Sequence, residues 1–314
     1  MDNRVICVVG PTATGKTKMG VALARRFGGE VVSVDSMQIY RGMTIGTAAP
    51  TPAEMDGIPH HMVAIADPGE SWSVARFTEQ ADLCIQDILR RGKRPVLVGG
   101  TGLYLDSILS GRTFAPGHSG GEVRKALQAE LAQDGIQPLY RQLQEVDPEA
   151  AARLHVSDEK RILRALEVYR ETGETITAHD ARTRLQPPKY RAYTIGLTFR
   201  DRADLYARID RRVDDMVTQG LLHEVESLLQ SGLPESATAL QAIGYKQFLS
   251  VYRGDTPAQD AVAEVKLRSR QYAKRQLTWL RRKDDIHWLL WEKDPDFPAG
   301  LQNATEYLLA QGLG

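Results

Sequence analysis

Residues 10–17 read Gly-Pro-Thr-Ala-Thr-Gly-Lys-Thr, and nothing else in the chain restricts its fold so tightly. They follow a short β-branched run, Val5–Val9, and precede a helical pattern over Lys18–Phe27. A strand, a Gly-rich turn and a helix in that order make a phosphate cradle. The glycines let main-chain N–H groups converge on phosphate oxygens, and the helix N-terminus adds favourable partial charge. Gly10, Pro11, Thr12, Ala13, Thr14, Gly15, Lys16 and Thr17 are therefore the expected pyrophosphate- or nucleotide-binding residues. Lys16 would neutralise the terminal phosphates, and the Thr17 hydroxyl would hold Mg²⁺. The pattern specifies a polyphosphate and leaves open which one.

The surrounding sequence predicts the rest of an α/β core. Glu30–Val34, Met62–Ala66 and Pro95–Val98 read as further strands, with an amphipathic helix over Val74–Leu89. Strands alternating with helices imply a parallel sheet covered on both faces, with ligands beyond the carboxyl ends of its strands. The fold class expected is thus a P-loop NTPase-like sheet carrying a helical insertion domain. Gly111–Gly121 turns rich in Gly, Pro and Ser, and Glu122–His179 is helical in pattern until Gln186-Pro187-Pro188. Tyr193–Phe199 resumes strand character. The domains expected are a core of residues 1–112 and 191–314 and an insertion of 113–190. The remainder is predicted to be helical over Arg202–Leu229, Gly244–Tyr252 and the long Pro257–Arg282, then a strand at Ile286–Trp291 and a last helix.

The residues that follow the other strands carry the chemistry. Many P-loop ATPases hold Mg²⁺ with an acid ending an apolar strand. Here that strand ends in Gly99-Gly100-Thr101-Gly102, and the acid stands instead at Asp35, after the second strand. Asp35 reads as a metal ligand, a general base or the cap of the next turn. Thr101 is placed to donate to the bridging oxygen of a departing pyrophosphate, or it belongs to a plain Gly-rich turn. From Lys266 to Lys283 there are eight Lys or Arg residues and no acid. Lys266, Arg270, Lys274 and Arg281 form one stripe, and Arg268, Arg275 and Arg282 a second. Val265, Tyr272, Ala273, Trp279 and Leu280 gather on the inward arc. A one-sign face suits a phosphate backbone. The clusters Lys160/Arg161/Arg164 and Arg208/Arg211/Arg212 are interleaved with acids and read as ordinary salt-bridged surface. His60 and His61 have no third ligand at metal spacing.

Overall charge does not help, since 40 Lys and Arg balance 40 Asp and Glu among 314 residues. The two cysteines, Cys7 and Cys84, sit in apolar runs far apart and read as reduced core residues. No run approaches a membrane span, and the apolar N-terminal run is too short for a signal peptide, so the expectation is a cytoplasmic chain.

The stretches GPTATGKT, DSMQIYRGMTIGTA, GIPHHM, PVLVGGTGLYL, RILRALEVY, AIGYKQF and RQYAKRQLTW together resemble the tRNA dimethylallyltransferase (tRNA isopentenyltransferase) family, bacterial type, over nearly the whole chain. One departure is visible, Ala49 where the family usually has Lys. The resemblance implies transfer of a dimethylallyl group from dimethylallyl pyrophosphate to the exocyclic amine of the adenosine 3′ to a tRNA anticodon. It implies that the Gly10–Thr17 loop with Mg²⁺ holds the pyrophosphate, that Asp35 accepts the amine proton, and that Thr101 assists the leaving group. It implies that Asp35, Ser36, Met37 and Gln38 meet the extruded base. Glu159, Lys160, Arg161, Ile162 and Leu163 would grip the anticodon stem-loop on one side. Leu240, Gln241, Ala242, Ile243, Gly244, Tyr245, Lys274, Arg275 and Trp279 would grip it on the other. The enzyme is expected to act as a monomer. A P-loop small-molecule or nucleotide kinase, an AMP prenyltransferase and a non-catalytic nucleotide-gated RNA-binding module are the competing readings.

Overall fold

A computed structural model describes residues 2–111, 114–115 and 121–313, so most of the Gly111–Gly121 linker expected from composition lies outside the described residues. By contact the chain divides into two compact units, 1–109 with 189–314, and 110–188.

The first unit begins with β1 (Arg4–Val9), α1 (Lys16–Arg26), β2 (Gly29–Val34), the single turn α2 (Pro52–Met55), β3 (His60–His61), α3 (Val74–Arg90), β4 (Arg94–Gly99) and α4 (Gly102–Ser110). The second unit contains α5 (Glu122–Asp134), α6 (Ile136–Val146), α7 (Pro148–Arg153), α8 (Glu159–Thr172) and α9 (Ile176–Arg184). The first unit resumes with β5 (Arg191–Phe199), α10 (Arg202–Thr218), α11 (Leu221–Gln230), α12 (Tyr245–Tyr252), α13 (Ala258–Leu280), β6 (Ile286–Trp291) and α14 (Phe297–Ala310). Its six strands form one sheet in the order β3-β2-β4-β1-β5-β6, every pair parallel.

Both faces of that sheet are covered, which is why β1 and β4 carry near-continuous apolar runs rather than alternating ones. Val5, Cys7 and Val9 face a core built with Phe77 and Ile85 of α3 and Tyr245 and Phe248 of α12. Ile6 and Val8 face the opposite core, with Met19 and Leu23 of α1, Leu205 and Ile209 of α10, and Leu308 of α14. Cys7 is wholly buried there, and burial pushes its thiol up to about 12. The second unit has its own core, in which Leu127, Leu139, Leu143, Ile162 and Leu166 meet.

Two expected elements differ. The apolar run Met62–Ala66 does not form the third strand; β3 lies just upstream, and Met62 (φ 63°) and Ala64 (φ 51°) take left-handed conformations that a strand excludes. Ala66 returns to the sheet margin through an isolated bridge to Tyr40. The helical stretch Arg202–Leu229 is divided in two, since Gly220 at φ 100° turns the chain between α10 and α11.

Near the start of β2, Glu30 organises a buried ion cluster. Its carboxylate accepts from Arg91 Nη1 at 2.5 Å, Arg91 Nη2 at 2.7 Å, Lys93 Nζ at 2.8 Å and His61 Nε2 at 2.8 Å. The Arg91 guanidinium chiefly holds this carboxyl well below the usual carboxylate range. Glu30→Gln should cost about 2 kcal/mol at neutral pH, because it leaves cations facing one another at a site whose carboxylate was buried. A depressed folded-state pKa gives stability that is present above the ordinary value of 4.5 and lost as pH falls through the folded value. Urea unfolding should therefore show the gap between variant and parent closing below about pH 4.5.

Candidate active site

The cradle lies beyond the carboxyl end of β1, between that strand and α1. Gly10 cannot carry a side chain, since a Cβ there would strike the Leu197 carbonyl of β5. Ala13 (φ 66°) and Gly15 (φ 88°) are left-handed and wind the loop inward. The loop's carbonyls are held away from its mouth. Thr14 Oγ1 at 2.9 Å and Lys16 Nζ at 2.7 Å donate to the Pro11 carbonyl. Arg208 Nε donates to the Ala13 carbonyl at 3.2 Å, and the Trp291 indole of β6 to that of Thr14 at 3.0 Å. Among the described residues no acceptor pairs with the N–H groups of Ala13, Gly15 or Lys16. The first turn of α1 carries no acid. A loop with its carbonyls tied back and its amides free is an anion site.

Side chains add to that field. Arg212 of α10, half-buried, reaches Thr12 Oγ1 at 3.4 Å. Burial, with Arg212 as the second cause, pushes Lys16 down to about 7, while Asp35 pulls it back up. Arg212 is itself lowered by burial, against the pull of Asp35. Two desolvated cations side by side disfavour each other, and an anion between them reverses the sign of that interaction. Asp35 Oδ1 accepts the Met37 N–H at 2.9 Å, so the turn-cap reading is real. It occupies one oxygen. Burial chiefly raises the Tyr104 and Tyr272 phenols, and the same carboxylate adds to both shifts while opposing those of Lys16 and Arg212.

Thr101 begins the turn into α4, and its enclosed Oγ1 makes no close hydrogen bond among the described residues, the Tyr272 hydroxyl being its polar neighbour. A hydroxyl held this loosely can turn towards an acceptor that enters the site. Its neighbours are Tyr272 and Gln276 of α13. Gln276 bonds both the Thr12 N–H and the Gly100 carbonyl.

The donor set suits Mg²⁺ held by few protein oxygens, which is that ion's habit when phosphates supply the rest. Thr17 and the second Asp35 oxygen are the available ones. No cluster of three or more acidic, Cys or His groups exists among the described residues that would make an all-protein metal cage.

The other expected residues divide by burial. Ser36 and Met37 are half-buried beside Asp35. The Gln38 amide is taken up internally, accepting from Ser33 Oγ at 2.8 Å and donating to the Ala48 carbonyl at 3.1 Å. Leu240, Ala242 and Tyr245 are buried, so they support a surface and do not present side chains on it. Tyr245 instead donates to Glu224 Oε1 at 2.5 Å. Glu224 also collects the N–H groups of Thr44, Ile45 and Gly46 and so shapes the loop ahead of Ala49. Gln241 is exposed, Ile243 half-buried and Gly244 buried. In the second unit Ile162 and Leu163 are likewise core, while Glu159, Lys160 and Arg161 are exposed. Lys160, Arg161, Arg164 and Arg153 line a cavity of about 490 Å³ there.

The basic face of α13 is narrower than its wheel suggests. Lys266 pairs with Asp214 and Arg270 with Asp210, both at 2.6 Å, and both acids belong to α10. Arg268 pairs with Glu264, and Lys283 with Asp106. Lys274, Arg275, Arg281 and Arg282 are exposed and have no acidic partner among the described residues. Trp279, half-buried, packs where a Cβ on Gly102 would fall.

A family model described as IPP transferase matches residues 38–283, and one described as isopentenyl transferase matches residues 3–64. The chain belongs to the IPP transferase family. It is 42% identical over 313 residues to the tRNA dimethylallyltransferase of Acetivibrio thermocellus, covering 100% of this chain and 99% of that one. It is 46% identical over 305 residues to that of Symbiobacterium thermophilum, covering 97% and 93%. Among solved structures it is similar to the full-length tRNA isopentenylpyrophosphate transferase of Bacillus halodurans (TM-score 0.72, 41% identity, 99% and 97% covered). It is also similar to a eukaryotic dimethylallyltransferase captured acting on tRNA (TM-score 0.82, 30% identity, 98% and 78% covered). As an IPP transferase, the chain is a prenyl-transferring enzyme on the P-loop-like sheet of its relatives.

Proposed function

We propose that this enzyme transfers a dimethylallyl group from dimethylallyl pyrophosphate to the exocyclic amine of the adenosine 3′ to a tRNA anticodon, releasing pyrophosphate. The observation that carries the reading is the enclosed Thr101 hydroxyl beside a cationic phosphate cradle, with Asp35 acting on its lysine. Many P-loop phosphoryl-transfer enzymes instead carry an acid at the end of the strand where Gly99 stands here.

The amine nitrogen attacks the first carbon of the allyl chain, and the bond from that carbon to the bridging oxygen breaks. The proton leaves the nitrogen for Asp35. Thr101 donates to the bridging oxygen as charge grows on it, and Lys16, Arg208 and Arg212 balance the departing pyrophosphate. Mg²⁺, held through Thr17 and the pyrophosphate oxygens, would add to that balance. The exposed cations Lys274, Arg275, Arg281 and Arg282 suit the RNA backbone. We read the enzyme as a cytoplasmic monomer.

Purified protein, Mg²⁺ and dimethylallyl pyrophosphate incubated with unmodified tRNA, and in parallel with AMP, give the test by nucleoside mass spectrometry. Prenylated adenosine in tRNA alone is the expected result. Product on AMP alone would move the acceptor to a free nucleotide, and transfer of label from a γ-phosphate would return the kinase reading. Salt dependence tests the RNA face separately. Replacing Lys274 and Arg275 together by Gln should flatten the slope of log affinity for tRNA against log salt by roughly 1–2. Replacing the paired Lys266 and Arg270 should change it far less.

A further inference from the structure

Gln276 is a buried polar side chain of α13, 8% exposed, that the reaction above does not use. Its Oε1 accepts the Thr12 N–H at 3.1 Å, and its Nε2 donates to the Gly100 carbonyl at 3.0 Å. An amide offers an acceptor at one end and donors at the other, so one N–H and one carbonyl are what it can satisfy together. The two groups belong to different loops. Thr12 is in the phosphate cradle, and Gly100 precedes the hydroxyl that faces the leaving group.

The second loop rests directly on α13. A Cβ on Gly100 would meet Gln276 Nε2, and one on Gly102 would meet the Trp279 indole. Thr101 Oγ1 makes no close hydrogen bond among the described residues, and its polar neighbour Tyr272 stands on α13 as Gln276 does, so its place follows from that helix and from the backbone that Gln276 holds. We propose that Gln276 is a positioning residue that fixes the separation between the phosphate cradle and Thr101, and thereby the meeting of Thr101 with the bridging oxygen as the carbon–oxygen bond breaks. This rests on the reading of the cradle and Thr101 given above.

The test is a double-mutant cycle in the full-length enzyme with tRNA and dimethylallyl pyrophosphate. Gln276→Met keeps the length and removes both hydrogen bonds. It should lower kcat about a hundredfold, the scale of a misplaced reacting group, with the KM for dimethylallyl pyrophosphate changed by less than about threefold. Inorganic pyrophosphate affinity, read by calorimetry, should move equally little. Thr101→Ala should lower kcat by about 10²–10³. In the Thr101→Ala background, Gln276→Met should then cost less than about threefold, because the group it positions is gone. Losses that multiply, or a fall in pyrophosphate affinity matching the fall in kcat, would overturn the proposal in favour of general support of the loop. If Gln276→Met does not fold, Gln276→Glu keeps the acceptor for Thr12 and loses the donor to Gly100, and must show the same non-additivity with Thr101→Ala. An active parent with a fully active Gln276→Met sinks this inference alone. A parent that cannot prenylate tRNA sinks the functional reading and this inference with it.

Discussion

Asp35→Asn should lower the single-turnover rate of prenyl transfer by about 10²–10⁴, the range for loss of a general base, while tRNA affinity stays within about threefold. The substitution separates the two jobs of this side chain. The amide oxygen can still accept the Met37 N–H that the carboxylate now takes at 2.9 Å, so the turn after β2 survives. What disappears is the capacity to take a proton and the negative charge facing Lys16 and Arg212. Transfer within about threefold of the parent rate would remove Asp35 from the chemistry and leave it only the turn.

Lys16→Met should weaken inorganic pyrophosphate binding roughly a hundredfold at neutral pH, corresponding to about 3 kcal/mol for removing one partner of a desolvated charge pair. The parent's pH profile carries a further signature. Burial first, and Arg212 second, bring the Lys16 ammonium down to about 7. Bound anion favours the charged lysine and raises that value. Below about pH 7 the lysine is already charged before binding and contributes no proton uptake. Above it, each binding event must recruit a proton, so the lysine's contribution falls about tenfold per pH unit until the raised value is reached. Pyrophosphate ionises in the same region, and the ratio of parent to Lys16→Met affinities at each pH cancels that. Calorimetry in buffers of different ionisation enthalpy should detect proton uptake at pH 8 in the parent and less in the variant. A ratio independent of pH from 6 to 9 would show a lysine that is charged throughout.

The cradle was legible because its information is local: eight consecutive residues carry both the turn geometry and the charge. The sheet was legible wherever a strand was long and buried on two faces, as in β1, β2 and β4. It failed at β3, where only two residues pair and the apolar run just after them is bent by left-handed Met62 and Ala64. The charge on α13 misled for a different reason. A helical wheel sees one helix, and the acids that neutralise Lys266 and Arg270 stand on α10. The same blindness hid Arg212, which reads as salt-bridged surface among the acids of its own helix yet stands half-buried and reaches Thr12 of the cradle. Gln276 left a faint signal, a polar residue three positions after buried Ala273 and four before buried Leu280. A polar side chain on an inward arc must find partners there. Which partners is set by loops that the wheel does not contain.

The Lys189 N–H donates to the Leu109 carbonyl at 2.9 Å, so the chain leaves the sheet-bearing unit and rejoins it at a single point. This matters for how the polypeptide assembles. β1 pairs with β5 from Arg4↔Arg191 onward, a contact between segments that lie very far apart in the chain. Such a pairing is slow when the intervening chain is loose, because the entropy of closing the loop must be met first. The intervening helices bury a core of their own, formed from residues near in sequence. Once that core has condensed, the excursion closes at its base like a turn, and β5 arrives as though it followed α4 directly. The longest-range strand pairing in the sheet thereby becomes, in kinetic terms, a nearly local one.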